Sequence, residues 1–232
     1  MTKPADPGVQ SLSVDCLRFF GAMSASVSHE IRNKLAVINE KAGLVEDIAV
    51  AMKSGRVPDP ERLETQARKI VEQVREANRI VRSLNRLAHS TDEVVATVDL
   101  SALVDLVIEL YGRKAAMAQA TVSRRAPADE IPIRTHPFLL AHAIGHCLGA
   151  AVSRVDASRE LTVTTERTDA GARVRIGPVV GAAAGDAEPD RDAADPGALL
   201  DVLGAELTDN AEAGELVLDI GHSQPHDHGG LP

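Results

Sequence analysis

Tryptophan is absent from this chain, and one tyrosine and three phenylalanines make up its aromatic content. So few flat rings leave almost no platforms for stacking unpaired bases, which argues against a single-stranded nucleic acid ligand. Positive charge is also scarce: 25 Lys and Arg stand against 34 Asp and Glu, a formal net charge of −9. Broad affinity for nucleic acid needs the opposite balance, because it is driven by displacing counterions from phosphates. Only two cysteines occur, Cys16 and Cys147, in separate predicted helical regions. That excludes a disulfide framework and suits reduced thiols in or near a core. No apolar run approaches the roughly 20 residues that cross a bilayer, and Met1 to Gln10 lacks the apolar centre of a secretory signal. The expectation is a cytoplasmic protein with neither membrane nor nucleic acid as partner. Its 232 residues suit two small domains and suffice to bury a core.

What the chain has in quantity is helical periodicity. Phe20, Met23, Val27, Ile31, Leu35, Ile38, Ala42, Val45 and Ile48 recur every three or four residues, the stripe of an amphipathic helix packed in a bundle. His29 lies two residues from both Val27 and Ile31, roughly 200° around the helix, and so faces away from the seam. Asn33 follows one turn later on the same exposed side, and Glu30 sits within reach of the imidazole's other nitrogen. A reactive imidazole, a carboxylate and a carboxamide converging on one spot read as a phosphoryl-transfer site.

A second stripe runs through Leu63, Ala67, Ile70, Val74, Ala77, Val81, Leu84 and Ala88, with Arg and Glu between. Gly55-Arg-Val-Pro58-Asp-Pro60 breaks the chain before it, and Pro60 suits a first helical turn. The two helices predict an antiparallel hairpin. A hairpin alone buries one side of each helix, so a second copy is expected to complete a four-helix bundle, making the chain a homodimer. Arg68, Lys69, Arg75, Arg79, Arg82 and Arg86 enrich the second helix in positive charge, but interleaved Glu72 and Glu76 make it an ordinary solvated face.

The stretch Ser26-Val-Ser-His29-Glu30-Ile-Arg-Asn33-Lys-Leu35 resembles the phosphoacceptor motif of two-component histidine kinases, whose dimerisation and phosphotransfer domain carries His-Glu-x-x-Asn on the first helix of a hairpin. The resemblance implies that His29 accepts a phosphoryl group and passes it to the aspartate of a response-regulator receiver, or the reverse. Glu30 would orient the imidazole and serve its acid–base needs, and Asn33 would position a water that attacks receiver phosphate. Arg32 and Lys34 flank the site and could steer an acidic receiver. Mg²⁺ would be supplied by the receiver's acidic pocket rather than by this chain.

Near residues 92 to 97 the pattern changes to mixed short elements. Asp99 or Ser101 could cap a helix through Leu103, Val107 and Leu110. Thr121–Arg124, Leu161–Arg167 and Ala172–Ile176 suit strands, and Pro137–Val152 suits a helix. The predicted class is α+β: residues 1–10 a flexible terminus, 11–92 the hairpin, 97–220 an α/β sandwich and 221–232 a flexible tail. This second half resembles, more weakly, the ATP-binding domain of histidine kinases. The likeness lies at VDLSALVDLVIELYGRKAA, at Ile131 to Phe138 and at Ala198 to Ile220.

The resemblance implies asparagines that hold Mg²⁺ and phosphate oxygens, yet His146 and Ala150 stand in their places. Neutral imidazole prefers softer metals, and alanine offers no ligand. An Asp-x-Gly turn that would read adenine is replaced by Gly177-Pro178-Val179-Val180. The lid region Gly181 to Pro196 carries Asp186, Glu188, Asp190, Asp192 and Asp195, which repel a polyphosphate. No cofactor is therefore expected to bind strongly, and the domain reads as a degenerate version. His142 and His146 share a helical face but lack the glutamate of a metalloprotease motif, so packing is preferred over metal. The tail histidines His222, His226 and His228 suit a polar terminus better than a metal site.

The expected function is phosphorelay through His29 without use of ATP. The alternatives are a receiver phosphatase on the same surface, an active histidine kinase with an atypical ATP site, and a non-enzymatic adaptor dimer. An upstream sensor kinase is a further candidate partner.

Overall fold

The computed structural model describes residues 7–55, 57, 59–125, 130–181 and 196–221. Two long helices come first, α1 (Pro7–Lys53) and α2 (Pro60–His89), packed together as a hairpin. Helix α1 already begins at Pro7, inside the stretch expected to be a flexible terminus. Asp59 starts α2 by accepting a hydrogen bond from the Glu61 amide at 3.0 Å, and Pro60 follows at the turn where a missing N–H costs nothing.

The remaining elements run β1 (Ala96–Asp99), α3 (Leu100–Met117), β2 (Thr121–Arg125), β3 (Pro132–Thr135), α4 (Pro137–Ser153), β4 (Glu160–Thr168), β5 (Gly171–Gly177), α5 (Gly197–Leu203), β6 (Ala205–Asn210) and β7 (Glu215–Gly221). The fold is α+β, as expected. Strands β2-β4-β5-β7-β6 form one five-stranded sheet, antiparallel except for the parallel β2–β4 pair. Strands β1 and β3 make a separate antiparallel pair, with Val98 opposite Ile133. Asp99 is the cap of α3, and its carboxylate accepts from the amides of Ser101, Ala102 and Ile131. One side chain thereby joins a helix start to the β1–β3 pair.

Alternation along β4 and β5 sends Leu161, Val163, Ala172, Val174 and Ile176 to the sheet's covered face. Helices α3 and α4 lie on that face with Val104, Val107, Leu140, Ile144 and Leu148 fully buried. The same hydrophobic cluster continues without a break into Met23 and Val27 of α1 and Ile80 and Leu87 of α2. The hairpin end nearest the sheet thus shares one core with it.

The packing of α2 differs from the predicted stripe. Its buried residues are Ile80, Ser83 and Leu87, whereas Leu63, Val74 and Val81 remain 37%, 42% and 40% exposed. The reason is tertiary: α3 also packs on α2 and takes the Ile80–Ser83–Leu87 side, leaving the longer apolar stripe uncovered in the single chain. On α1, Met23, Val27 and Ile48 are buried, while Leu35 is 50% exposed.

Candidate functional site

His29 sits near the middle of α1, exposed, above the buried side chains of Ser26 and Val27. Those two residues anchor this turn of helix on the hairpin's inner side, so the next residues around must point outward. Arg32 and Asn33 are exposed on the following turn, and Lys34 is half-buried. Asn33, four residues after His29, is its neighbour along the helix surface.

Glu30 is half-buried, and its charge is felt by Arg79 of α2. Arg79 is the centre of an ion-pair group that the sequence did not disclose. One guanidinium nitrogen lies 2.9 Å from Glu76 and the other 3.2 Å from Glu109 of α3. Glu109 in turn accepts a hydrogen bond from the buried Ser83 hydroxyl at 2.5 Å. Burial pulls the Arg79 pKa down, but the Glu76 hydrogen bond and the charges of Glu109, Glu76 and Glu30 outweigh it and raise it above the ordinary arginine value. The Glu76–Arg79 spacing was visible as a helical pair. The partner on α3 was not, because nothing local marks Glu109 as its counterion.

His146 and Ala150, which the resemblance singled out, both lie on α4. His146 is half-buried, and Ala150 is half-buried and packed against the core. Neither supplies the hard oxygen ligand that Mg²⁺ requires. Beyond β5, the Val179 amide donates to the Gly214 carbonyl at 2.8 Å and the Val180 amide to the Arg154 carbonyl at 2.9 Å. The Val179 side chain is buried. Arg154 is fixed there by an ion pair to Asp209 at 3.0 Å.

Among the described residues there is no group of three or more His, Cys, Asp or Glu side chains that could hold a metal ion, and no helix long and apolar enough to cross a membrane. The acidic residues Asp186, Glu188, Asp190, Asp192 and Asp195 and the tail histidines His222, His226 and His228 lie outside the described residues. His142 and His146 both lie on α4, but the His142 ring stacks on Phe19 at 4.5 Å between centroids, a packing role.

No protein-family model matches the chain, and no curated protein matches it. Solved structures do. Acinetobacter baumannii histidine kinase AdeS aligns at a TM-score of 0.45 and 13% identity, covering 84% of this chain and 98% of that one. The ATP-binding domain of PrrB from Mycobacterium tuberculosis aligns at 0.42 and 20%, covering 57% and 100%. The cytoplasmic segment of histidine kinase QseC aligns at 0.39 and 18%, covering 71% and 97%. These structural neighbours are histidine kinases. With TM-scores below 0.5, the functional reading rests on the chain's own side chains.

Proposed function

We propose that this chain is a two-component phosphorelay protein, acting as a homodimer, in which His29 exchanges a phosphoryl group with the aspartate of a response-regulator receiver without using ATP itself. The observation that carries this reading is an outward-facing His29 with Asn33 beside it and Glu30 at its flank, on a helix whose other side is anchored in the core. The combination of His146, Ala150 and buried Val179 in the second half supports the separation of phosphotransfer from ATP use.

In the transfer, a lone pair of the His29 imidazole attacks the phosphorus of the receiver's acyl phosphate. The bond from phosphorus to the aspartate oxygen breaks, and the carboxylate leaves with its electrons. The reverse reaction restores the acyl phosphate. Glu30 holds the N–H of the opposite ring nitrogen, which sets the nucleophilic tautomer and stabilises the cationic ring during transfer. Alignment and charge neutralisation dominate such a loose transition state, and Mg²⁺ in the receiver's acidic pocket supplies the metal. The exposure of Asn33 next to His29 favours a second reaction on the same surface, in which its amide orients a water toward receiver phosphate.

The test is a time course with labelled phospho-receiver. The native chain should acquire label and His29→Ala should acquire none while keeping its fold, since an exposed side chain contributes little to packing. Calorimetry should detect no ATP binding tighter than about millimolar, a free energy of only about −4 kcal/mol. Undiminished labelling of His29→Ala would end the phosphotransfer reading and leave a docking dimer. A micromolar ATP site with autophosphorylation would make the chain a kinase.

A further inference from the structure

Every aromatic side chain in the protein is gathered at one junction. Phe19 and Phe20 on α1, Tyr111 on α3 and Phe138 on α4 are the chain's whole supply. The Phe19 ring meets Phe138 edge-on at 5.8 Å and lies flat on His142 at 4.5 Å. Phe20 approaches Phe138 at 6.5 Å. Gly145 makes the approach possible: a Cβ there would fall 2.9 Å from Phe19 Cε2 and 3.1 Å from Tyr111 Cε2. Leu12 and Phe20 are partly buried against the same cluster, and Phe19 and Met23 are buried in it. Helix α1 also touches α5.

We infer that the first part of α1, from Leu12 to Met23, is a strap that clasps the outer face of α4 through Phe19 and Gly145 and locks the sheet domain to the hairpin. Phe138, His142 and Gly145 recur at i, i+4 and i+7, so they form one helical face, and Phe19 closes it. Aromatic pairs of this geometry add about 0.5–1.5 kcal/mol each beyond the area they bury. A chain so poor in rings concentrates that gain where α1 meets the second half. The consequence is a single rigid body in which the helix carrying His29 and the sheet domain keep a fixed relation.

Cys16 reports on the strap. It lies on α1 one turn before Phe19 and is half-buried, and burial, with a smaller push from Asp15, raises its thiol pKa to about 11. Cys147 on α4 faces the core and is fully covered, with its thiol raised to about 12 by burial. The experiment follows alkylation of both thiols in the full-length chain at constant pH. Phe19→Ala should speed modification of Cys16 at least about tenfold while Cys147 stays protected, a change that corresponds to about 1.4 kcal/mol of lost closure. Gly145→Ala, which wedges the Phe19 ring outward, should do the same, and it serves if Phe19→Ala does not fold. Cys16 rates unchanged in the folded variants would overturn the strap. Equal acceleration of Cys16 and Cys147 would also overturn it, because the chain would then open as a whole. The readout does not depend on phosphotransfer, so its failure is separable from failure of the proposed function.

Discussion

His29, Glu30 and Asn33 differ in burial, and that difference separates their expected effects. Asn33 is exposed, so Asn33→Ala should leave labelling of His29 intact and slow only the hydrolysis of receiver phosphate, as followed by label lost from the receiver. Glu30 is half-buried near Arg79, and Glu30→Ala should slow transfer in both directions by on the order of 10²-fold without abolishing it, a typical loss for acid–base assistance. Equal rates for Glu30→Ala and the native chain would remove Glu30 from the mechanism. His142 offers a different test. Burial, and then repulsion from His146, push its pKa down to about 4 from an ordinary 6.5, against a weaker pull from Asp15. Between these values the unfolded chain binds a proton that the folded chain refuses, so stability rises with pH across this window and falls as pH drops from 6.5 to 4. The loss is at most on the order of 3 kcal/mol. His142→Phe keeps an aromatic ring on Phe19, and urea midpoints measured from pH 7 to pH 4 should fall less for it than for the native chain.

Among the elements, α3 depends most visibly on a single residue. Asp99 ends β1, caps α3 and accepts the Ile131 amide, three bonds of 3.1–3.2 Å through one carboxylate. Asp99→Ala should therefore cost more than an ordinary cap, about 2–3 kcal/mol, because it also strands a partly buried amide. Asp99→Asn should recover most of this in a urea melt, since its amide oxygen can still accept. A cost below about 0.5 kcal/mol for Asp99→Ala would mean that the β1–β3 pair stands without its carboxylate tie. Helix α4 is apolar on both sides for a related reason: it is pressed between the sheet and α1. His142 thus occupies a helix–helix boundary, stacked on Phe19, where the sequence suggested a choice between metal and packing.

At the scale of the whole molecule, the uncovered stripe on α2 calls for a partner. Leu63, Val71, Val74 and Val81 are exposed along one long helix, and Leu35 is exposed on α1. Such an apolar seam costs solvation free energy unless a second copy covers it, at about 25 cal/mol per Å². Light scattering at micromolar concentration should give a dimer, and the double substitution Val74→Glu with Val81→Glu should give a folded monomer. The monomer should keep its helical signal, because α2's attachment to α3 uses the other side, at Ile80, Ser83 and Leu87. A native chain that scatters as a monomer would reject the bundle.

The hairpin, the outward phase of His29 and the long strands β4 and β5 were legible in the sequence, because each is a local period of 3.6 or 2 written over many residues. The cap at Asp99 was legible as one of two candidates. What periodicity cannot express is which apolar face meets which neighbour. The stripe through Leu63, Val74 and Val81 looked like the hairpin's own seam, and only the presence of α3 assigned burial to Ile80, Ser83 and Leu87 instead. The four-residue strands β1 and β3 are too short to carry a period and exist because they pair with each other. The Arg79–Glu109 ion pair and the stacking of Phe19 on His142 join residues distant along the chain. Their formation depends on the packed core bringing four helices together, a long-range event to which no local pattern in the sequence corresponds.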